Sequence, residues 1–232
     1  MEKQKYAAIV LAAGSGKRMN SKVHKQYLII QDRPVLYYSL KAFEDSAVDE
    51  IVLVVGKGEE EFCRKEIVDK YGISKVKAIV EGGKERYHSV FEGLKQTSDA
   101  DYVLIHDGAR PFVNQDIIRR CMQEVQKYQA CVVGMPVKDT IKIADEEGYA
   151  KQTPDRKNVW MIQTPQTFSY VLIYEAYEEM LKTEDTAITD DAMVLERIKG
   201  KKSKLIEGSY RNIKITTPED LLIANVYLQH PE

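Results

Sequence analysis

Residues 7–27 read AAIVLAAGSGKRMNSKVHKQY, and the fold follows from how that run is divided. An apolar stretch, Ala7 to Ala13, stops at Gly14-Ser15-Gly16, and the cations Lys17, Arg18, Lys22 and Lys25 come directly after it. A short apolar run bounded by glycines reads as a buried strand entering a tight turn. Glycine backbone N–H groups can form a concavity for anion oxygens, and flanking Lys and Arg add full charges, so the turn suits a polyphosphate. Gly-X-Gly after a strand is by itself little more than a turn signal. The Walker pattern needs a Gly-Lys-Ser/Thr end, which is absent, and the dinucleotide fingerprint needs a small residue where this chain has Met19.

Working outward, 232 residues suffice for one large domain, or one domain with an appendage. With 34 basic and 36 acidic side chains, the balance argues against a general nucleic-acid or membrane-surface binder. The Lys199 to Lys204 cluster reads as a solvated turn. Cys63, Cys121 and Cys131 are odd in number and lack Cys-X-X-Cys spacing, which implies neither a disulfide framework nor a zinc site and suits a reducing cytoplasm. His24, His88, His106 and His230 are scattered without ligand spacing. No apolar stretch approaches membrane-spanning length, and the N-terminal one is too short for a signal-peptide core.

After the first turn, β and α patterns alternate. Tyr27 to Ile30 suggests a short strand, and Pro34 opens a helix ending near Asp45. Ile51 to Val55 is a β-branched run suited to burial on both faces, followed by an acidic helix start at Glu59 to Glu61. Val76 to Val80 is the next strand, and Gly82-Gly83 turns into a helix. Tyr102 to Ile105 forms a strand ending at His106-Asp107, Asn114 caps a helix to about Gln129, and Ala130 to Met135 is a further strand. This order predicts an α/β fold with a mostly parallel, twisted sheet, helices on both faces, and ligands at the carboxyl ends of the strands.

Between Val137 and Gln163 the alternation stops. Thr140 to Ile143 and Tyr149 to Gln152 flank Asp145-Glu-Glu-Gly148 as a hairpin followed by a loop. An isolated hairpin is marginal in water, so residues 137–160 are expected to form a projecting arm that packs on another subunit; the plainer expectation is an edge hairpin on its own domain. Beyond it, Ser169 to Leu181 and Thr189 to Ile198 have helical spacing, Leu205 to Glu207 and Asn212 to Thr216 read as strands, and Pro218 opens a last helix. Thr189-Asp190-Asp191, taken alone, reads as a helix cap with first-turn carboxylates.

Eight separated strings occur in order: Leu11 to Met19, Lys25-Gln-Tyr27, Gly82-Gly83-Lys-Glu-Arg86 with Ser89-Val90, His106-Asp-Gly-Ala-Arg-Pro111, Pro136-Val-Lys-Asp-Thr140, Thr164-Pro-Gln166, Thr189-Asp-Asp-Ala192 and Asn212-Ile-Lys-Ile-Thr216. Together they resemble the 2-C-methyl-D-erythritol 4-phosphate cytidylyltransferases of the non-mevalonate isoprenoid pathway, over essentially the whole chain. The resemblance implies a Rossmann-like nucleotidyltransferase fold in a single domain over residues 1–232, with the arm joining a homodimer and magnesium-dependent conversion of CTP to CDP-methylerythritol and pyrophosphate. It also implies that Arg18 and Lys25 stabilise the transition state at the α-phosphate, and that Ala12, Ala13, Gly14, Ser15 and Gly16 wrap the triphosphate. Gly83 and Ser89 would help read cytosine, with Arg86 and Gly108 in the same substrate-binding set. Arg156 and Lys214 match the pair that holds the methylerythritol phosphate, with Thr140, Thr164, Thr189, Asp107 and Arg110 lining that pocket. Part of the pocket, the arm's arginine included, would come from the neighbouring subunit. One departure is Lys84, where such enzymes usually carry an acidic residue.

The chemistry explains the residue types. A phosphate monoester with a second pKa of about 6 is already mostly dianionic at neutral pH, so no general base is required. The obstacle is one anion approaching another, and cations placed beforehand remove it. Asp107 is the candidate magnesium ligand, since magnesium takes most of its oxygens from phosphates and water; the competing reading has Asp107 cap a turn or orient substrate. The rival polyol is ribitol 5-phosphate, whose enzymes tend to show Ala-Gly-Gly and Ser-Asp-Ala-Cys where this chain has Ala12-Ala13-Gly14 and Thr189-Asp-Asp-Ala192. A nucleotide-binding module without catalysis is the third reading, and Arg18, Lys25, Arg156 and Lys214 speak against it.

Overall fold

Strand β1 (Tyr6–Ala12) forms where the apolar run is uninterrupted, and its side chains alternate between two cores, Ala8 and Val10 on one face and Ala7 and Ile9 on the other. The computed structural model describes residues 3–14, 24–183 and 187–230. From His24 a single 3₁₀ turn (Lys25–Tyr27) leads to a two-residue ribbon, β2 (Ile29–Ile30) with β3 (Arg33–Pro34), so the strand expected from Tyr27 begins two residues later. Helix α1 (Val35–Glu44) starts just after Pro34, whose fixed φ and missing N–H favour a helix start. Strand β4 (Glu50–Val55) is buried along its whole length, as the β-branched run demands.

The acidic start beyond it gives only a short helix, α2 (Glu60–Cys63), which passes into a π-helical turn at Arg64–Asp69. Then come β5 (Val76–Glu81), α3 (Arg86–Leu94), β6 (Tyr102–Asp107) and α4 (Gln115–Tyr128). Asn114 caps α4 as its sequence position predicts, its Oδ1 accepting from Ile117 N at 3.0 Å. Strand β7 (Ala130–Pro136) leads into the arm, whose ladder is β8 (Ile143–Ala144) with β9 (Ala150–Gln152). The chain returns through a 3₁₀ turn (Arg156–Asn158) to β10 (Trp160–Ser169), α5 (Tyr170–Met180), α6 (Asp191–Lys199), β11 (Lys204–Glu207) and α7 (Pro218–Gln229).

The seven-stranded sheet runs β11-β7-β10-β6-β1-β4-β5. All its pairings are parallel except those of β10, which lies antiparallel between β6 and β7. Helices α1, α2 and α4 pack on one face and α3, α5 and α6 on the other, which gives the two-sided α/β architecture expected. Among the described residues, no helix is long and apolar enough to cross a membrane.

Three expectations need correction. The loop expected up to Gln163 is cut short by a ten-residue strand over residues 160–169 near the middle of the sheet, although β10 carries Pro165 after a cis bond, with its register shifting between Ile162 and Gln166. Residues 212–216 are not a strand: Ile213 and Ile215 alternate toward a small core with Ile30, Val35 and Ala224, but the backbone makes isolated bonds, as from Ile215 N to Ala109 O at 2.8 Å. A hairpin forms around the expected turn, but its first strand is only Ile143–Ala144 instead of Thr140 to Ile143, and its second is Ala150–Gln152. Every residue of β8 and β9 is exposed, Tyr149 in the turn is 70 % exposed, and the arm leaves the sheet at the Trp160–Pro136 pair.

Candidate active site

A cleft of about 400 Å³ opens at the carboxyl ends of β1 and β6, where a parallel sheet with its helices leaves a crevice. Leu11 to Gly14 form one wall, Lys25 and Gln26 another, the turn Gly83 to Arg86 with Ser89 a third, and Asp107, Ala109 and Lys214 the floor. The second turn has to be glycine: a Cβ on Gly82 would lie 2.5 Å from Ala13 Cβ, and one on Gly83 would lie 2.3 Å from His88 Cβ. The second turn therefore packs against Ala13, and Ser89 Oγ accepts from Gly83 N at 3.1 Å to close it.

Asp107 ends β6 within a shell of cations. Its Oδ2 is 2.8 Å from Lys214 Nζ and 3.7 Å from Arg110 Nε, and its Oδ1 is 3.5 Å from Arg86 Nε. Burial by itself would raise this carboxyl, but the fields of Lys214, Arg86 and Arg110 outweigh it and hold Asp107 well below the usual carboxylate range. Arg86 is fixed from behind: Nη1 and Nη2 donate to Asp191 Oδ1 and Oδ2 at 2.7 and 2.8 Å. Asp191 is fully buried and also accepts from Tyr177 Oη at 2.6 Å. Gln166 receives the Asp191 and Ala192 N–H groups on Oε1 and donates to Asp190 Oδ2, which secures the first turn of α6 to β10. The helix cap is Asp190, accepting from Met193 N at 2.9 Å, rather than Thr189.

Lys214 reaches Asp107 because its segment is docked from several sides. Arg110 Nη1 donates to Asn212 O at 2.8 Å, and Asn212 Nδ2 donates to Thr164 O at 2.9 Å. Thr164 works below the floor, where its Oγ1 accepts from Asp107 N at 3.1 Å and lies 3.0 Å from His106 Nδ1. His106 Nε2 faces Arg110 O at 3.1 Å, so the neutral ring carries its proton on Nε2 and Thr164 donates to Nδ1.

Burial pushes His106 from 6.5 down to about 4, with Asp107 pulling the other way. Because the folded value lies below the unfolded one, this ring's contribution to stability is complete above pH 6.5 and declines toward pH 4, by about 1.4 kcal/mol per pH unit. Urea midpoints measured across that window should fall less steeply for His106→Gln than for the parent protein; parallel curves would contradict the assignment.

Of the residues expected in the site, Ala12, Ala13, Gly14, Lys25, Gly83, Arg86, Ser89, Asp107 and Lys214 line this one cleft. Arg110 and Thr164 support it, while Gly108 packs away from it, since a Cβ there would lie 2.8 Å from Leu36 Cδ1 and 3.0 Å from Leu11 O. Ser15, Gly16 and Arg18 lie outside the described residues. Thr140 is exposed in the arm, Arg156 is exposed with Nη1 3.4 Å from Lys138 O, and Thr189 is exposed ahead of α6; none of the three lines the cleft. Sequence reasoning passed over Gln26, whose side-chain amide donates to Ala12 O, and Glu85 as a lining residue; Lys84, singled out as the departure from the family pattern, lines the cleft too. It also passed over Asp191 and Tyr177, for which a carboxylate at a helix start was the only available signal.

Among the described residues no three or more His, Cys, Asp or Glu side chains gather as a metal site. Asp107 still suits one kind of cation. Among the described residues its Oδ1 has only the long Arg86 contact, and magnesium accepts a single protein carboxylate when phosphates and water supply its other oxygens.

Gly14, the Gly82-Gly83 turn and an array of cations at the mouth of a two-sided α/β sheet define a nucleotidyltransferase. The sequence profile described as "IspD: 2-C-methyl-D-erythritol 4-phosphate cytidylyltransferase" matches residues 6–230. The chain belongs to that family. It is 54 % identical over 224 residues to the 2-C-methyl-D-erythritol 4-phosphate cytidylyltransferase of Lachnospira eligens, covering 96 % of this chain and 98 % of that one. It is 50 % identical over 226 residues to the protein of the same name from Lachnoclostridium phytofermentans, covering 97 % of each. The crystal structure of 4-diphosphocytidyl-2C-methyl-D-erythritol synthase from Anaerococcus prevotii superposes with a TM-score of 0.86 at 38 % identity, covering 98 % of this chain and 97 % of that one.

Proposed function

We propose that this cytidylyltransferase transfers CMP from CTP to 2-C-methyl-D-erythritol 4-phosphate in the cleft between Gly14, Gly83 and Asp107. The observation that carries the reading is the convergence of Lys25, Arg86 and Lys214 on one glycine-walled crevice, in a chain of this family. An oxygen of the substrate phosphate attacks the CTP α-phosphorus in line, the new P–O bond forms as the bond to the β-phosphate oxygen breaks, and pyrophosphate leaves with the electron pair. The attacking group is already dianionic at neutral pH, so no side chain has to remove a proton.

Lys25, with Arg18 from the first turn, stabilises the charge that gathers on the α-phosphoryl oxygens. Lys214, steadied by Asp107, holds the polyol phosphate with Arg156 from the arm of a second subunit. Asp107 would hold magnesium, which when bound neutralises charge on the triphosphate. The exposed arm, with Ile143 and Tyr149 uncovered, supports a homodimer with shared sites. The three buried, unpaired thiols suit a reducing cytoplasm.

Pyrophosphate release measured with CTP, magnesium and each polyol phosphate tests the reading. Turnover with methylerythritol phosphate well above that with ribitol 5-phosphate is expected, and the reverse order, or no release, would overturn it. For the shared site, Arg18→Ala and Arg156→Ala proteins, each inactive alone, should regain activity when mixed and re-annealed. Failure to regain it, with subunit exchange confirmed by mass, would make each subunit self-sufficient.

A further inference from the structure

Lys25 sits in a segment with little stability of its own. Its 3₁₀ turn is three residues long and has no side-chain cap, and such a turn contributes few hydrogen bonds. A cation that acts by preorganisation nevertheless has to be held closely, because small misplacements cost large factors in rate.

The residues on either side of Lys25 show what holds it. Tyr27 Oη donates to Glu59 Oε2 at 2.7 Å, and His24 Nδ1 lies 2.8 Å from Glu59 Oε1 without the alignment of a hydrogen bond. One carboxylate thus bonds the residue two places after Lys25 and lies against the residue before it. Glu59 is itself locked into the loop after β4, where its Oε2 accepts from Gly56 N at 3.0 Å. The loop is shaped for this: a Cβ on Gly56 would lie 2.6 Å from that same oxygen, and Gly58 takes φ +75° to turn the chain back. Tyr27 has one hydroxyl proton, and it goes to Glu59, so Cys63 Sγ at 3.1 Å donates to the Tyr27 oxygen. A thiol that burial pushes up to about 11 keeps the proton this requires. The edge of Phe62 against the Tyr27 ring, centroids 5.2 Å apart, completes the clamp.

Glu59 does not line the cleft. We propose that Glu59, through His24 and Tyr27, is a positioning residue that sets the reach of Lys25 into the cleft. The proposal rests on the role assigned to Lys25 above.

The test is a double-mutant cycle on pyrophosphate release, with kcat and both KM values measured for Glu59→Ala, Lys25→Ala and the pair. Glu59→Ala is expected to lower kcat about tenfold with both KM values within about twofold, and Glu59→Gln, which keeps one oxygen, should recover most of the loss. In the Lys25→Ala background the same substitution should change kcat by less than about twofold, because the group it positions is gone. Equal factors in both backgrounds would overturn the proposal and leave the reading of Lys25 intact. Near-normal turnover in Lys25→Ala would overturn both. Should Glu59→Ala fail to fold, Tyr27→Phe removes one grip and keeps the ring on Phe62, and it is held to the same dependence on Lys25.

Discussion

Lys25→Ala is expected to lower kcat by roughly 10²–10³-fold while circular dichroism and thermal midpoint stay close to those of the parent protein, the scale seen when one preorganised donor is removed from a developing charge. The fold should tolerate the change, because Lys25 is only half-buried and the segment's anchors are its neighbours: Gln26 bonds Ala12 O and Tyr27 bonds Glu59. The loss belongs in kcat because the extra charge exists only while the α-phosphorus is joined to both the entering and the leaving oxygen; an interaction made equally with bound CTP would move KM instead. Steady-state pyrophosphate release at saturating substrates decides it. Turnover within about threefold of the parent would take Lys25 out of the transition state.

Asp191→Ala is expected to destabilise the protein by about 3–5 kcal/mol, the cost of removing one partner from a buried ion pair. For a chain of 232 residues that is a fall in thermal midpoint of roughly 6–20 °C. The argument rests on what stays behind. The Arg86 guanidinium is not deprotonated in a protein, so its charge stays behind, and without Asp191 both Nη groups lose their acceptors. Tyr177 Oη, buried with it, loses its acceptor too. Exposed pairs behave differently: Lys3 beside Asp49, with the lysine side chain 84 % exposed, should be worth no more than about 1 kcal/mol. Urea unfolding of Asp191→Ala and Lys3→Ala makes the comparison, and a loss below about 1 kcal/mol for Asp191→Ala would mean that water or a neighbour has taken over the guanidinium.

The architecture was legible wherever local pattern and tertiary role agree. The all-buried run of β4, the Asn114 cap of α4 and the glycine stop after β1 each follow from side-chain shape or a single backbone bond. Strand β10 was hidden because residues 163–167 read Gln-Thr-Pro-Gln-Thr, a composition poor in the usual strand formers. Those polar groups are satisfied by partners far along the chain: Gln166 by α6, Gln163 by Ser209 O, and Thr164 by His106 and Asp107. Residues 212–216 misled in the other direction. Ile213 and Ile215 alternate as in a strand, but the segment docks through Arg110 and Thr164 without pairing into the sheet.

By itself, the order of residues determined the alternation of strands and helices, the two glycine turns, and the eight strings that place the chain in its family, because each depends on short-range geometry or on residue identity. Only the tertiary structure decided that Asp107 lies among three cations, that Asp191 holds Arg86 from behind, and that Glu59 bonds Tyr27 and lies against His24 on either side of Lys25. Charges separated by tens of residues interact only through space. Their distances are set by how strands and helices pack, which no local pattern encodes.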